Sequence, residues 1–187
     1  MRGFNFREEM TLAAALTKAQ LDAIKRWSEV CVCSAFARRI PRGMYQTRRV
    51  ASEYSAWDRL LEVEHPRSQS EFIPIQIKAR SKNGDGHPLE LKALKKYIKM
   101  SVNHNWLLVL INITHGSYGL IYVFTGLAVF EYVDPIIKSF PKQARDSIDI
   151  IDIPYSLRRR PNCYVMPMIE EELQGAREAW GELYLDG

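Results

Sequence analysis

Disulfide chemistry, membrane-spanning runs and glycine-rich phosphate loops are all missing or scarce in this sequence. Its 187 residues hold three cysteines, Cys31, Cys33 and Cys163. That odd count, without a recognisable secretion signal, points to a reducing compartment and a cytoplasmic location. Cys31 and Cys33 fall two apart on an expected helix, so their side chains diverge by about 200° and do not form a metal pair. The longest apolar run, Trp106 to Ile113, is strand length, far below the roughly 20 residues that cross a bilayer. The short stretch Leu12 to Leu16 follows Glu8 and Glu9 and does not suit a signal peptide. The four histidines, His65, His87, His104 and His115, show no zinc spacing. Walker, dinucleotide-binding and Gly-x-Ser-x-Gly patterns are also absent.

What is present is an ordinary globular composition, 47% hydrophobic and 26% charged, with a net charge of +4. The length suits a single domain over 1–187. The basic residues cluster at Arg38 to Arg42, Arg48 and Arg49, Lys78 to Lys99, and Arg158 to Arg160. Such a distribution permits a polyanionic partner without requiring one.

The pattern of elements is α/β. Thr17 with Gln20 three residues later forms a capping box, and Leu16 and Leu21 occupy the staple positions. The helix that follows runs from Lys18 to Arg39, with Leu21, Ile24, Cys31 and Ala35 as its apolar stripe. Residues 44–64 suit one or two strands. From Phe72 to Arg80 the side chains alternate, placing Ile73, Ile75 and Ile77 on one face and Pro74, Gln76, Lys78 and Arg80 on the other. Ser81 to His87 reads as a loop, and Pro88 to Val102 as a helix. Trp106 to Ile113 reads as a strand buried on both faces. Residues 119–132 read as one or two strands, followed by a helix over 135–145. A strand at 148–153, a basic loop, a strand at 164–167 and a helix at 169–183 complete the chain. The strand–helix–strand unit 72–113 implies a right-handed crossover and a parallel pair. The expected fold is a mixed central sheet flanked by helices.

Asp58 lies near the start of the strand before Gln76 and Lys78. Neighbouring strands can gather this acid, amide oxygen and ammonium in one small space. A carboxylate and a carbonyl-type oxygen are hard ligands suited to Mg²⁺, and a lysine beside them can orient an attacking water. Glu62, four residues from Asp58, is an alternative ligand. Each residue also has a plainer reading: Asp58 as a surface acid at a strand end, Gln76 and Lys78 as a solvated sheet face.

The order of a leading helix, an Asp on one strand, Gln76-Ile77-Lys78 on the next, then a crossover helix and an apolar strand resembles the PD-(D/E)xK nuclease superfamily. It is closest to the variant with Gln in place of the second acid, as in Mrr-like domains. The resemblance covers residues 18–130, leaving 131–187 as an extension packed on a restriction-endonuclease-like core. It implies a metal-dependent nuclease acting on phosphodiester bonds, in DNA as the expected substrate, with Mg²⁺ or Mn²⁺ as cofactor. It further implies that Asp58, Gln76 and the Ile77 carbonyl hold the metal and that Lys78 serves the water. Glu29 matches the glutamate that some members add from the first helix.

Nucleic-acid contacts are expected from Arg80, Lys82, Lys95, Lys99, Arg158, Arg159 and Arg160. On the helix, Lys92, Lys95, Lys96 and Lys99 share one side, as a phosphate track or as a solvated face. The alternative for the whole chain is an inactive nuclease fold that binds nucleic acid or a protein. No membrane partner is expected, and a homodimer is allowed.

Overall fold

The computed structural model describes residues 16–39, 45–49, 57–63, 69, 71–81, 84–114, 118–141 and 148–181. Lys82, one of the expected nucleic-acid contacts, lies outside them.

Helix α1 (Lys18–Arg39) starts as its capping box dictates. The Thr17 amide donates to Gln20 Oε1 at 2.9 Å, and the Gln20 amide donates to Thr17 Oγ1 at 3.2 Å. Ile24, Cys31 and Ala35 are buried as their spacing requires, joined by Trp27 and Phe36. Leu21 remains 47% exposed, so the buried stripe begins one turn later, at Ile24.

The main sheet contains β1 (Tyr45–Arg49), β2 (Arg59–Val63), β3 (Glu71–Ser81), β5 (Leu107–Thr114), β6 (Tyr118–Thr125) and β8 (Tyr164–Pro167). Its spatial order is β1-β2-β3-β5-β6-β8. Strands β3 and β5 run parallel, while the other neighbours are antiparallel. A parallel pair needs a long crossover. Here it holds β4 (Gly86–Glu90), helix α2 (Leu91–Met100) and a short 3₁₀ turn. Pro74 pairs with β2 one residue before the β5 register begins at Ile75, so its missing N–H costs the β5 ladder nothing.

Four expectations change. Pro88 lies within β4, opposite Asp152, and the helix begins at Leu91. β4 pairs with the distant β7 (Ile150–Pro154), forming a second, two-stranded sheet that local pattern could not reveal. Residues 126–132 are not strand: helix α3 (Gly126–Ser139) starts at once after β6, capped by Thr125 Oγ1 accepting from the Ala128 amide at 3.3 Å. The run Leu127 to Tyr132 is rich in bulky apolar residues and mimics a strand. Pro135 sits inside this helix rather than starting one; its absent N–H leaves the Glu131 carbonyl without its usual partner. The last helix, α4 (Glu170–Trp180), packs on α1, and Trp180 is a core residue at 6% exposure.

The sheet is covered on both faces. On one, Ile75, Ile77, Val109, Ile111 and Val123 pack against α1 and α4. Trp27 Nε1 donates to the Glu172 carbonyl at 2.9 Å, and Arg38 pairs with the Glu172 carboxylate, tying those helices together. On the other, Leu108, Leu110, Tyr122 and Phe124 meet residues of α2, α3 and the β4–β7 ribbon. Residues beyond 130 thus contribute a sheet strand, a covering ribbon strand and a packed helix. No described helix is long and apolar enough to cross a membrane.

Candidate functional site

Asp58 stands one residue before β2, and the antiparallel register sets it opposite Gln76. Arg59 faces Ile75 and Leu60 faces Pro74. The Asp58 amide donates to the Ile75 carbonyl at 3.0 Å, extending the ladder by one bond. Beyond that point β2 has ended, and the edge of β3 on that side needs another partner. The Asp58 side chain supplies it: the Ile77 amide donates to Asp58 Oδ2 at 2.8 Å. Gln76 Nε2 donates to the same oxygen at 2.5 Å and lies 3.4 Å from the Ile77 carbonyl. An acid, an amide and a backbone carbonyl therefore converge at the place where one strand leaves another.

Gln76 is only 3% exposed, so the plainer reading of a solvated amide does not apply. Its Oε1 is buried with no hydrogen-bond partner. A half-turn of the terminal amide would exchange Oε1 and Nε2. Three oxygens, from Asp58, Gln76 and Ile77, would then face one point, a hard donor set that suits Mg²⁺ or Mn²⁺. The donors fit such a cation in type, with one carboxylate among them. Among the described residues, no group of three or more His, Cys, Asp or Glu side chains is gathered to hold a metal. Glu62 lies opposite Phe72, four residues along β2. At about 3.3 Å per residue this puts it roughly 13 Å from Asp58, beyond sharing a ligand sphere.

The electrostatics are mixed. Burial raises the Asp58 pKa above its ordinary 3.8, and nearby Glu29 raises it further. The Ile77 hydrogen bond and the charges of Lys78 and Lys25 act in the opposite direction. Lys25 of α1 places Nζ 3.9 Å from Asp58 Oδ1. Glu29, one turn further along α1, is 6% exposed and accepts from Arg59 Nη1 at 3.2 Å. Its spacing of four from Lys25 was the available signal that both lie on one face.

Lys78 projects on the Gln76 side of β3, level with Leu110 of β5, and is partly buried. Its charge bears on Asp58 and also on His87. His87, with Leu89, turns inward from β4 opposite Ile153 and Ile151. Burial first, then Arg80 and Lys78, hold the imidazole down at about 3, so it is neutral. The alternation His87, Leu89 could have marked this inward face.

Trp57, preceding Asp58, lies 5.2 Å from the Tyr97 ring and 5.6 Å from Trp106. These rings wall one side of the site. Burial, with the nearby Asp58 charge, pushes the Tyr97 hydroxyl up to about 12.

The expected nucleic-acid contacts divide. Arg80 is a correction: it is 8% exposed, and Nη1 donates to the Gly86 carbonyl at 2.6 Å. The β4–β7 ribbon covers this part of the sheet and takes Arg80 from solvent. Lys95 and Lys99 border a groove with Phe130, Val133 and Asp134 of α3. Each lies two residues from the buried Tyr97, about 200° around the helix, and so points away from Asp58. Arg158, Arg159 and Arg160 are exposed, with Arg160 paired to Glu131 at 3.2 Å. Tyr155, at the start of their 3₁₀ turn, stacks on Tyr122 at 4.2 Å. Tyr122 is level with Leu110 and Lys78 across the sheet. That turn therefore lies on the Lys78 face, two strands or about 10 Å away.

No family model matches the chain, and no curated protein and no solved structure matches it either.

Proposed function

We propose that the chain is a metal-dependent nuclease domain hydrolysing phosphodiester bonds, with DNA as the substrate tested first. The observation that carries this reading is the convergence of the Asp58 carboxylate, the Gln76 side-chain amide and the Ile77 carbonyl where β2 leaves β3. Lys78 lies two residues on, along the same strand face. Asp58, Gln76 and the Ile77 carbonyl would hold Mg²⁺ or Mn²⁺. The bound ion would supply Lewis-acid stabilisation of a phosphoryl oxygen. Lys78 orients the attacking water and favours the charge that grows on the phosphorus oxygens. Glu29 and Arg59 anchor α1 to β2 beside the acid. The exposed Arg158 and Arg159 supply phosphate contacts on the same face. The test is incubation of the purified protein with plasmid and linear DNA in Mg²⁺, Mn²⁺ or chelator. Cleavage should require the metal and vanish in Lys78→Ala; cleavage that survives this substitution sinks the site.

A second reading rests on a specific observation. Asp58 Oδ2 already accepts from both Gln76 and the Ile77 amide, as a structural cap on the β3 edge would. On that reading the domain binds nucleic acid or a protein without cutting. Salt-sensitive DNA binding with no metal-dependent cleavage is its expected signature.

A further inference from the structure

The two oxygens of Asp58 have different neighbours. Oδ2 accepts from Gln76 Nε2 and the Ile77 amide, whereas Oδ1 faces the Lys25 ammonium at 3.9 Å. We infer that Lys25 is a tethered counter-ion that competes with a divalent metal for the negative charge of the Asp58 carboxylate and moves to a substrate phosphate when the metal arrives. The inference rests on the metal-dependent reading above.

Geometry makes the exchange feasible. The Lys25 side chain is 60% exposed, so its head swings through water at little cost, whereas Asp58 is held at 17% exposure by its two donors. A dication on the Asp58 carboxylate and an ammonium a few ångströms away repel one another, and the solvated, flexible partner is the one that yields. Glu29, the acid one turn away on the same helix, already engages Arg59. The phosphodiester that enters the site brings the anion on which Lys25 then settles. Metal and nucleic acid then favour each other's binding, because each relieves a cost the other meets. That coupling is reciprocal by linkage.

The experiment measures Mn²⁺ binding by calorimetry, with and without a short duplex carrying a phosphorothioate backbone to block turnover. Wild type, Lys25→Met, Lys25→Arg and Asp58→Asn are compared. Without nucleic acid, Lys25→Met should bind Mn²⁺ about two- to fivefold more tightly than wild type, the range expected for a solvent-screened pair. Lys25→Arg should restore the wild-type value. The duplex should raise the Mn²⁺ affinity of wild type by a larger factor than that of Lys25→Met. Equal Mn²⁺ affinities of wild type and Lys25→Met, or equal duplex effects, overturn the inference and leave the metal site standing. Failure of wild type and Lys25→Met alike to bind Mn²⁺, indistinguishably from Asp58→Asn, overturns the metal reading and the inference with it.

Discussion

Gln76 donates its side-chain amide to Asp58 at 2.5 Å, while the far end of that amide, Oε1, is buried without a hydrogen-bond partner. A neutral donor thus stands where a second carboxylate would meet Asp58 at repulsive distance. Gln76→Glu should expose the difference. Two facing acids cannot both ionise without a proton or cation between them. At pH 8 in chelator the variant should lose about 1–3 kcal/mol of stability, and Mn²⁺ should restore it. Thermal unfolding with and without Mn²⁺ measures this. Loss without metal rescue would argue for the structural cap.

Asp58 itself makes a pH prediction. Its folded pKa is raised, chiefly by burial. The group therefore contributes stability below the ordinary value of 3.8, and that contribution is lost as pH rises through the folded value. Asn at this position keeps an oxygen for Gln76 and Ile77 and carries no charge. Asp58→Asn should unfold at a higher temperature than wild type at pH 7, with the gap closing as pH falls through the raised folded value and no further change below 3.8. A gap independent of pH would contradict the assignment.

His87 acts with the opposite sign. Its folded value, about 3, lies below the ordinary 6.5. The stability it contributes is present above 6.5 and drains away as pH falls toward 3. At pH 4.5 roughly 3 kcal/mol of it should be gone. Urea unfolding of His87→Gln at pH 7 and pH 4.5 should show a smaller acid loss than wild type by about that amount.

A fourth prediction concerns the wall of the site. A methyl group on Gly126 would lie 2.0 Å from Trp106 Nε1 and 2.6 Å from the His104 carbonyl. Gly126→Ala should therefore cost about 1–3 kcal/mol and displace the Trp106 ring, which Trp57 contacts beside Asp58. Near-UV circular dichroism reports the aromatic change, and urea unfolding reports the cost. A native aromatic spectrum at full stability would show that the site does not depend on this packing.

Much of the frame was legible because its signals are local. The capping residues of α1 and the isoleucine alternation of β3 act within a few residues, and the structure follows both. The same locality explains the misses. Alternation shows that Gln76, Lys78 and Arg80 share a face, but not that a ribbon from residues 150–154 covers it, so Arg80 was assigned to solvent. Leu127 to Tyr132 carries strand-like residues into a helix because tertiary packing overrides propensity. The adjacency of Asp58 and Gln76 could be suspected from element order; the strand end that makes Asp58 a ladder partner could not. The approach of Lys25 to Asp58 joins residues 33 apart, and no local pattern marks it.

The parallel pairing of β3 with β5 also separates the cluster from its cover in sequence distance. Asp58, Gln76 and Lys78 lie on a strand pair joined by a short connection, whereas the crossover over that face returns only at Leu107 and its ribbon partner comes from residues 150–154. Closing the short loop costs less chain entropy than closing the long ones. The polar cluster therefore rests on short-range pairing and its dry cover on long-range pairing. Substitutions that loosen residues 150–154 would therefore wet a polar cluster whose own members all lie before residue 79.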